Sequence, residues 1–141
     1  MTEPTSEVLL VVEDSDEDFD SLQWAFRKLE IDRPMVRARN AEEAVEYLRA
    51  GKPRPFLVLL DLNLTVADGR AVLARVKGDA GLRAIPVVIW TTSSNPGDVR
   101  SCYSEGANTY LRKPFDTAEL LDTVRTLEHY WHDLALTDRE G

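Results

Sequence analysis

Five residues stand where short apolar runs give out, and their types suit phosphoryl chemistry. Glu13 and Asp14 follow residues 8–12, Asp61 follows 56–60, Thr91 follows 86–90 and Lys113 follows 109–111. A positioned carboxylate can attack phosphorus and carry the phosphoryl group as an aspartyl phosphate. The transferring group spreads negative charge over three oxygens, which a metal ion, an ammonium and a hydroxyl can share. Asp61 offers the carboxylate, Lys113 the ammonium and Thr91 the hydroxyl. Glu13 and Asp14 offer hard oxygen ligands of the kind Mg²⁺ or Mn²⁺ takes.

These residues can act together only if the fold gathers them, and the apolar pattern says that it does. Continuous apolar runs at 8–12, 56–60 and 86–90 read as strands buried on both faces. Residues 34–39 predict a less apolar edge strand, and Thr109, Tyr110 and Leu111 a short fifth one. Between them, helical spacing predicts a helix over 16–30 and another capped by Asn40 with Glu43 as its partner. A third opens at Asp68 and Gly69, a fourth starts at Asn95-Pro96 and stops at Gly106, and a last is capped by Asp116 with Glu119.

Alternating strands and helices imply an α/β fold, a doubly wound five-stranded parallel sheet with functional groups outside the carboxyl ends of its strands. In the flavodoxin-like order 2-1-3-4-5 the first and third strands are neighbours, roughly 4.8 Å apart. Glu13, Asp14 and Asp61 then crowd within about 5 Å, and each pair repels by roughly 3 kcal/mol at an effective dielectric near 20. Either one of them protonates or a cation sits among them. Lys113 lies two strands from Asp61, a distance only a long side chain spans. The proline after it, Pro114, predicts a special turn, with its peptide bond trans or cis, that aims the lysine.

Composition sets the bounds. With 141 residues there is room for one domain, its core over about 7–128 and an extension over 129–141. A net charge of −8 argues against nucleic acid, whose phosphates are held by clustered Lys and Arg. No apolar run is long enough to span a membrane, and the polar, acidic start is unlike a secretion signal. The single cysteine, Cys102, excludes an internal disulfide and is expected to pack inside the fourth helix. A cytoplasmic protein is expected. Trp24 and Trp90 are expected in the core.

The acid pair Glu13-Asp14, Asp61 with Gly69 eight positions on, Thr91 thirty after Asp61, and Lys113-Pro114-Phe115 together resemble one family. It is the receiver domains of two-component response regulators, and the likeness covers roughly 8–127. The resemblance implies that Asp61 accepts phosphate from a sensor histidine kinase. It implies that Asp14, Asp61 and the backbone carbonyl of Asn63 bind Mg²⁺ or Mn²⁺, with Glu13 acting through water. It also implies that Thr91 and Tyr110 form a switch pair, and that the Lys113–Pro114 bond is cis. The runs 12–18, 68–73 and 85–93, with the aromatic end of the last helix, are similar to small regulators paired with phytochrome kinases, so a bacteriophytochrome is the implied partner. Two positions depart from the family pattern: Thr65 replaces a common proline, and Thr92 a common Ala or Gly.

After the last helix only a short polar tail remains, so output is expected through protein contacts or a second phosphotransfer. Starting near Thr117, that helix is expected to reach about Ala135 and overhang the sheet. The series Leu120, Val124, Leu127, Trp131 and Leu134 has heptad-like steps. Its end, Tyr130, Trp131 and Leu134, is the expected homodimer contact. A phosphatase acting through Asp61 is disfavoured, since Asn63 stands where a general acid would. A flavin or nucleotide carrier is disfavoured because the loop 13–18 is dominated by acids that repel phosphate. The expectation is a switch, not an enzyme.

Overall fold

The computed structural model describes residues 7–50, 53–64 and 69–137. Thr65 and Asp68, and the tail from 138, lie outside them. Five strands, β1 (Leu9–Val12), β2 (Met35–Ala38), β3 (Leu57–Leu60), β4 (Val87–Thr91) and β5 (Thr109–Arg112), alternate with five helices. These are α1 (Asp16–Lys28), α2 (Ala41–Arg49), α3 (Arg70–Gly78), α4 (Pro96–Ser104) and α5 (Thr117–Glu128). All pairings are parallel and the order is β2-β1-β3-β4-β5, as the sequence predicts.

Period-two alternation sorts the strand residues onto two faces. Leu10, Val12, Val58, Leu60, Val87 and Ile89 face α2, α3 and α4, where Ala44, Val72, Leu73, Val76 and Cys102 are buried with them. Leu9, Val11, Leu57, Leu59, Val88 and Trp90 face α1 and α5, against Leu22, Ala25, Phe26, Val124 and Leu127. Cys102 and Trp90 are in the core as expected. Trp24 is not: it is 37% exposed, because α1 turns Leu22, Ala25 and Phe26 inward instead.

Local chemistry sets the helix ends. Asn40, Asn95 and Asp116 accept hydrogen bonds from the backbone N–H groups of Glu43, Gly97 and Glu119, at 2.9, 2.7 and 2.8 Å. Gly106, at φ 106°, ends α4 with the paired bonds Ala107 N–H to Cys102 and Gly106 N–H to Tyr103. The same two-bond ending closes α1, but there the left-handed residue is Glu30, at φ 59°. The helix expected to reach Glu30 therefore stops at Lys28.

The last helix departs most from expectation. Beyond Glu128 the chain continues as a π-helical turn, His129–Leu134, closed by Ala135 N–H donating to the Tyr130 carbonyl at 2.7 Å. A wider turn takes more residues per revolution, so the apolar stripe loses its phase. Trp131 still packs against the α1/α5 core, whereas Leu134 and Tyr130 are 59% and 51% exposed. The extension reaches Leu134, close to the expected Ala135, and is pinned on one side. The Arg33 guanidinium pairs with Glu128, with side chains only 4% and 8% exposed, and lies over the Phe56 ring. His132 meets the same ring edge-on and reaches Glu7 at 3.2 Å.

Candidate functional site

Register builds the site. Val12 pairs with Leu60, so Glu13 and Asp61, one residue further along each strand, emerge side by side. Their backbones stay within the ladder: Asp61 N–H donates to the Val12 carbonyl at 3.1 Å, and Glu13 N–H to Ala38 at 2.9 Å. Both side chains are buried, at 2% for Glu13 and 5% for Asp61. Lys113 leaves the end of β5 with its N–H bonded to the Thr91 carbonyl at 2.7 Å. Its side chain crosses β4, and Nζ donates to Glu13 Oε1 at 2.6 Å, Asp18 Oδ2 at 2.7 Å and Asp61 Oδ2 at 2.8 Å. Among the described residues no peptide bond is cis. The Lys113–Pro114 bond is therefore trans, the lower-energy state for X–Pro, and the lysine reaches Asp61 without the expected isomer.

Burial and neighbouring charge set the proton affinities of the site. Burial pushes the Glu13 carboxyl up to about 7, against the opposing hydrogen bond and charge of Lys113, and Asp61 pushes the same way as burial. Burial alone would lower the Lys113 ammonium, but the carboxylates of Asp18, Asp61 and Glu13 outweigh it and hold the group above its usual value.

Three further contacts shape the neighbourhood. Asn63 N–H donates to Asp61 Oδ1 at 3.0 Å, and its Nδ2 donates to Thr91 Oγ1 at 3.2 Å. Thr91 is fully buried. The half-buried Tyr110 donates its hydroxyl proton to the Ser93 carbonyl at 2.9 Å, and burial holds that phenol above its ordinary value. Gly69 packs directly on the strand end. A Cβ there would sit 2.8 Å from Leu62 Cα and 3.0 Å from Asp61 C, and closer still to the Asp61 carbonyl oxygen.

Of the residues singled out in the sequence, Glu13, Asp61 and Lys113 meet directly, and Thr91 joins through Asn63. Asp14 sits half-buried in the same loop but outside the trio. Asp18, in the first turn of α1, which strand-end reasoning passes over, joins the Lys113 contact. The signal was present: Ser15 caps α1 by accepting the Asp18 N–H at 3.2 Å, which fixes where a side chain three residues into the helix stands.

Carboxylate oxygens of Glu13, Asp18 and Asp61 lie within 4.8 Å of one another and could hold a divalent cation. Hard oxygen donors are what Mg²⁺ and Mn²⁺ require, and the site already draws the Lys113 ammonium into their midst. The donor set fits such an ion.

Comparison with known proteins agrees with this geometry. The model of the response regulator receiver domain matches residues 9–125. The probable methanogenesis regulatory protein FilR2 of Methanothrix harundinacea is 38% identical over 128 residues, 88% of this chain and 83% of that protein. Response regulator Rcp1 of Synechocystis is 39% identical over 129 residues, 88% of each. Its Mn²⁺-bound crystal structure matches with a TM-score of 0.84 at 36% identity, over 94% of this chain and 99% of that one. The phosphorylated cyanobacterial phytochrome response regulator RcpA matches with a TM-score of 0.87 at 36% identity, over 94% and 98%. Sequence, sheet order and site thus converge, and the chain belongs to the response regulator receiver domain family.

Proposed function

We propose that Asp61 accepts a phosphoryl group from a sensor histidine kinase, of the phytochrome type, and that the acyl phosphate switches protein contacts in the cytoplasm. The observation that carries this reading is the Asp61 carboxylate itself: buried at a strand end, steadied by Asn63 N–H on one oxygen and by Lys113 on the other. An Asp61 oxygen attacks phosphorus, the P–N bond of the donor phosphohistidine breaks, and the imidazole leaves with its electron pair. Lys113 Nζ then has a phosphoryl oxygen to hold in place of the Asp61 oxygen. Mg²⁺ or Mn²⁺ held by Asp61 and its neighbours Glu13 and Asp14, with the Asn63 carbonyl, would neutralise charge on the other oxygens. The likeness to Rcp1 and RcpA supports the phytochrome-type donor.

Thr91 and Tyr110 form the switch. When the phosphoryl group arrives, the Thr91 hydroxyl gives up the Asn63 amide and turns to a phosphoryl oxygen. That leaves room beside β4 which the Tyr110 ring fills, changing the surface of α4 and β5. The chain is a switch that catalyses at most its own phosphorylation and slow dephosphorylation.

Intact mass after incubation with acetyl phosphate tests the acceptor. A Mg²⁺-dependent phosphoryl adduct in the wild type and none in Asp61→Asn is the expected result. No adduct in folded wild type, with the donor active on a control receiver, would overturn it.

The exposed Tyr130, which lines an apolar cleft between β5 and α5, and the exposed Leu134 on the same turn support a homodimer through the last helix. Trp131 lines that cleft and also packs inward, so it contributes from beneath. The double variant Tyr130→Ser/Leu134→Ser leaves the core intact and should sediment as a monomer; an unchanged dimer mass refutes the contact.

A further inference from the structure

Lys113 has three ammonium protons, and each is directed at a different carboxylate. Glu13 and Asp61 are strand-end groups that the phosphorylation reaction engages itself. Asp61 would become the acyl phosphate, and Glu13 would help to hold the cation. Asp18 is different. It stands on α1, whose Leu22, Ala25 and Phe26 are buried against the sheet, and the Ser15 cap fixes the turn that carries it. With the cation on Asp14, Asp61, Glu13 and the Asn63 carbonyl, as proposed above, it is the one acceptor on Lys113 that the reaction leaves in place.

A lysine stem is long and flexible, and its ammonium is a point charge with no preferred direction of its own. If two of three acceptors are withdrawn, whatever remains decides where the ammonium points. We propose that Asp18 is a positioning residue for Lys113: it tethers the ammonium beside Asp61 while the other two carboxylates are engaged by phosphoryl group and cation. The proposal rests on the phosphoacceptor reading of Asp61. The helix-borne tether also explains why the lysine can reach across β4 without being trapped by the groups it must release.

Two plainer roles compete. As an acid in the first turn, Asp18 favours α1 through the helix dipole. As a negative charge near the site, it draws a cation. The first changes stability alone, and the second changes how much Mg²⁺ is needed. Neither changes the maximal rate once Mg²⁺ saturates, nor the environment of the Lys113 ammonium.

The test uses the full chain as wild type, Asp18→Asn, Asp18→Ala and Asp18→Glu. Phosphorylation by acetyl phosphate is followed by intact mass across a Mg²⁺ titration. In parallel, the Lys113 ammonium is observed by ¹H–¹⁵N NMR, assigned by its loss in Lys113→Arg. The maximal rate at saturating Mg²⁺ should fall about tenfold in Asp18→Asn and Asp18→Ala, and Asp18→Glu should recover most of it. The ammonium signal should persist in wild type when Mg²⁺ is added, and vanish in Asp18→Ala as proton exchange with water quickens. Maximal rates that agree within about twofold, with only the Mg²⁺ midpoint moved, would overturn the proposal. So would an ammonium signal that survives Mg²⁺ in Asp18→Ala. A wild type that takes no phosphoryl group overturns the acceptor reading instead, a result distinct from either.

Discussion

A methyl group at Gly69 should both destabilise the fold and slow phosphorylation, and the size of each effect follows from the contacts. The backbone of Gly69 lies at φ −57° and ψ −22°, which alanine adopts freely. Glycine is required by space. The added carbon would sit 2.8 Å from Leu62 Cα and 3.0 Å from Asp61 C, where carbon pairs normally rest about 3.5–4.0 Å apart. These are backbone atoms and cannot rotate aside, so the strand end or the start of α3 must shift by roughly 0.5–1 Å. Overpacking of this kind costs about 1–3 kcal/mol. Alanine regains about 0.4–1 kcal/mol by restricting the unfolded chain. A net loss of about 1–2 kcal/mol remains. The same shift moves Asp61, whose carboxylate meets Lys113 at 2.8 Å, and misplacement of about 1 Å can cost up to a hundredfold in rate. Urea unfolding and acetyl phosphate kinetics measure the two effects, with Gly78→Ala as control because nothing lies within 4 Å of a Cβ there. Gly69→Ala with wild-type stability and rate would refute the reasoning.

Glu13 should make stability depend on pH in Mg²⁺-free buffer. Its folded carboxyl is raised from 4.5 to about 7, so the folded state holds the proton more tightly than the unfolded chain. Stability from this source is full below about pH 4.5, drains away as pH rises to about 7, and then levels, a change of about 3 kcal/mol at most. Glu13→Gln should flatten that part of the profile; parallel wild-type and variant curves from urea unfolding would contradict it. At the other end of the sheet, Glu128→Ala should cost about 1.5–3 kcal/mol, because a guanidinium whose side chain is 4% exposed keeps only the Glu7 carbonyl at 3.0 Å and the Glu7 carboxylate at 3.8 Å. The double change Arg33→Met/Glu128→Leu should cost far less in the same melts, and equal losses would show that the pair is not coupled. Thr92, exposed beside Thr91, the proposed switch residue, is bulkier than the Ala or Gly common in the family. Thr92→Ala should accept phosphate faster and lose it sooner; equal phosphate half-lives would discard the steric argument.

What was legible in the sequence was what periodicity encodes. Apolar runs ending in acids, alternating with amphipathic helices, fix the sheet, and the sheet order puts Glu13 beside Asp61 and brings Lys113 within reach. Less legible was anything that depends on a helix's rotation about its axis. Trp24 turns outward and Asp18 inward on α1, and no strand-end rule says so. Glu30 takes a left-handed backbone that composition would assign to glycine. Ion pairs distant in sequence, such as Arg33 with Glu128, leave no local trace at all.

The π turn at the end of α5 makes chain length, rather than side-chain identity, the determinant of which surface the extension shows. A regular helix advances about 100° per residue, so one residue more or less rephases everything that follows. Deleting a single position within His129–Leu134 would swing Leu134 around the axis. An alignment that opens no gap at this turn will pair inward positions of one relative with outward positions of another, and will misread the extension as variable where only its count has changed.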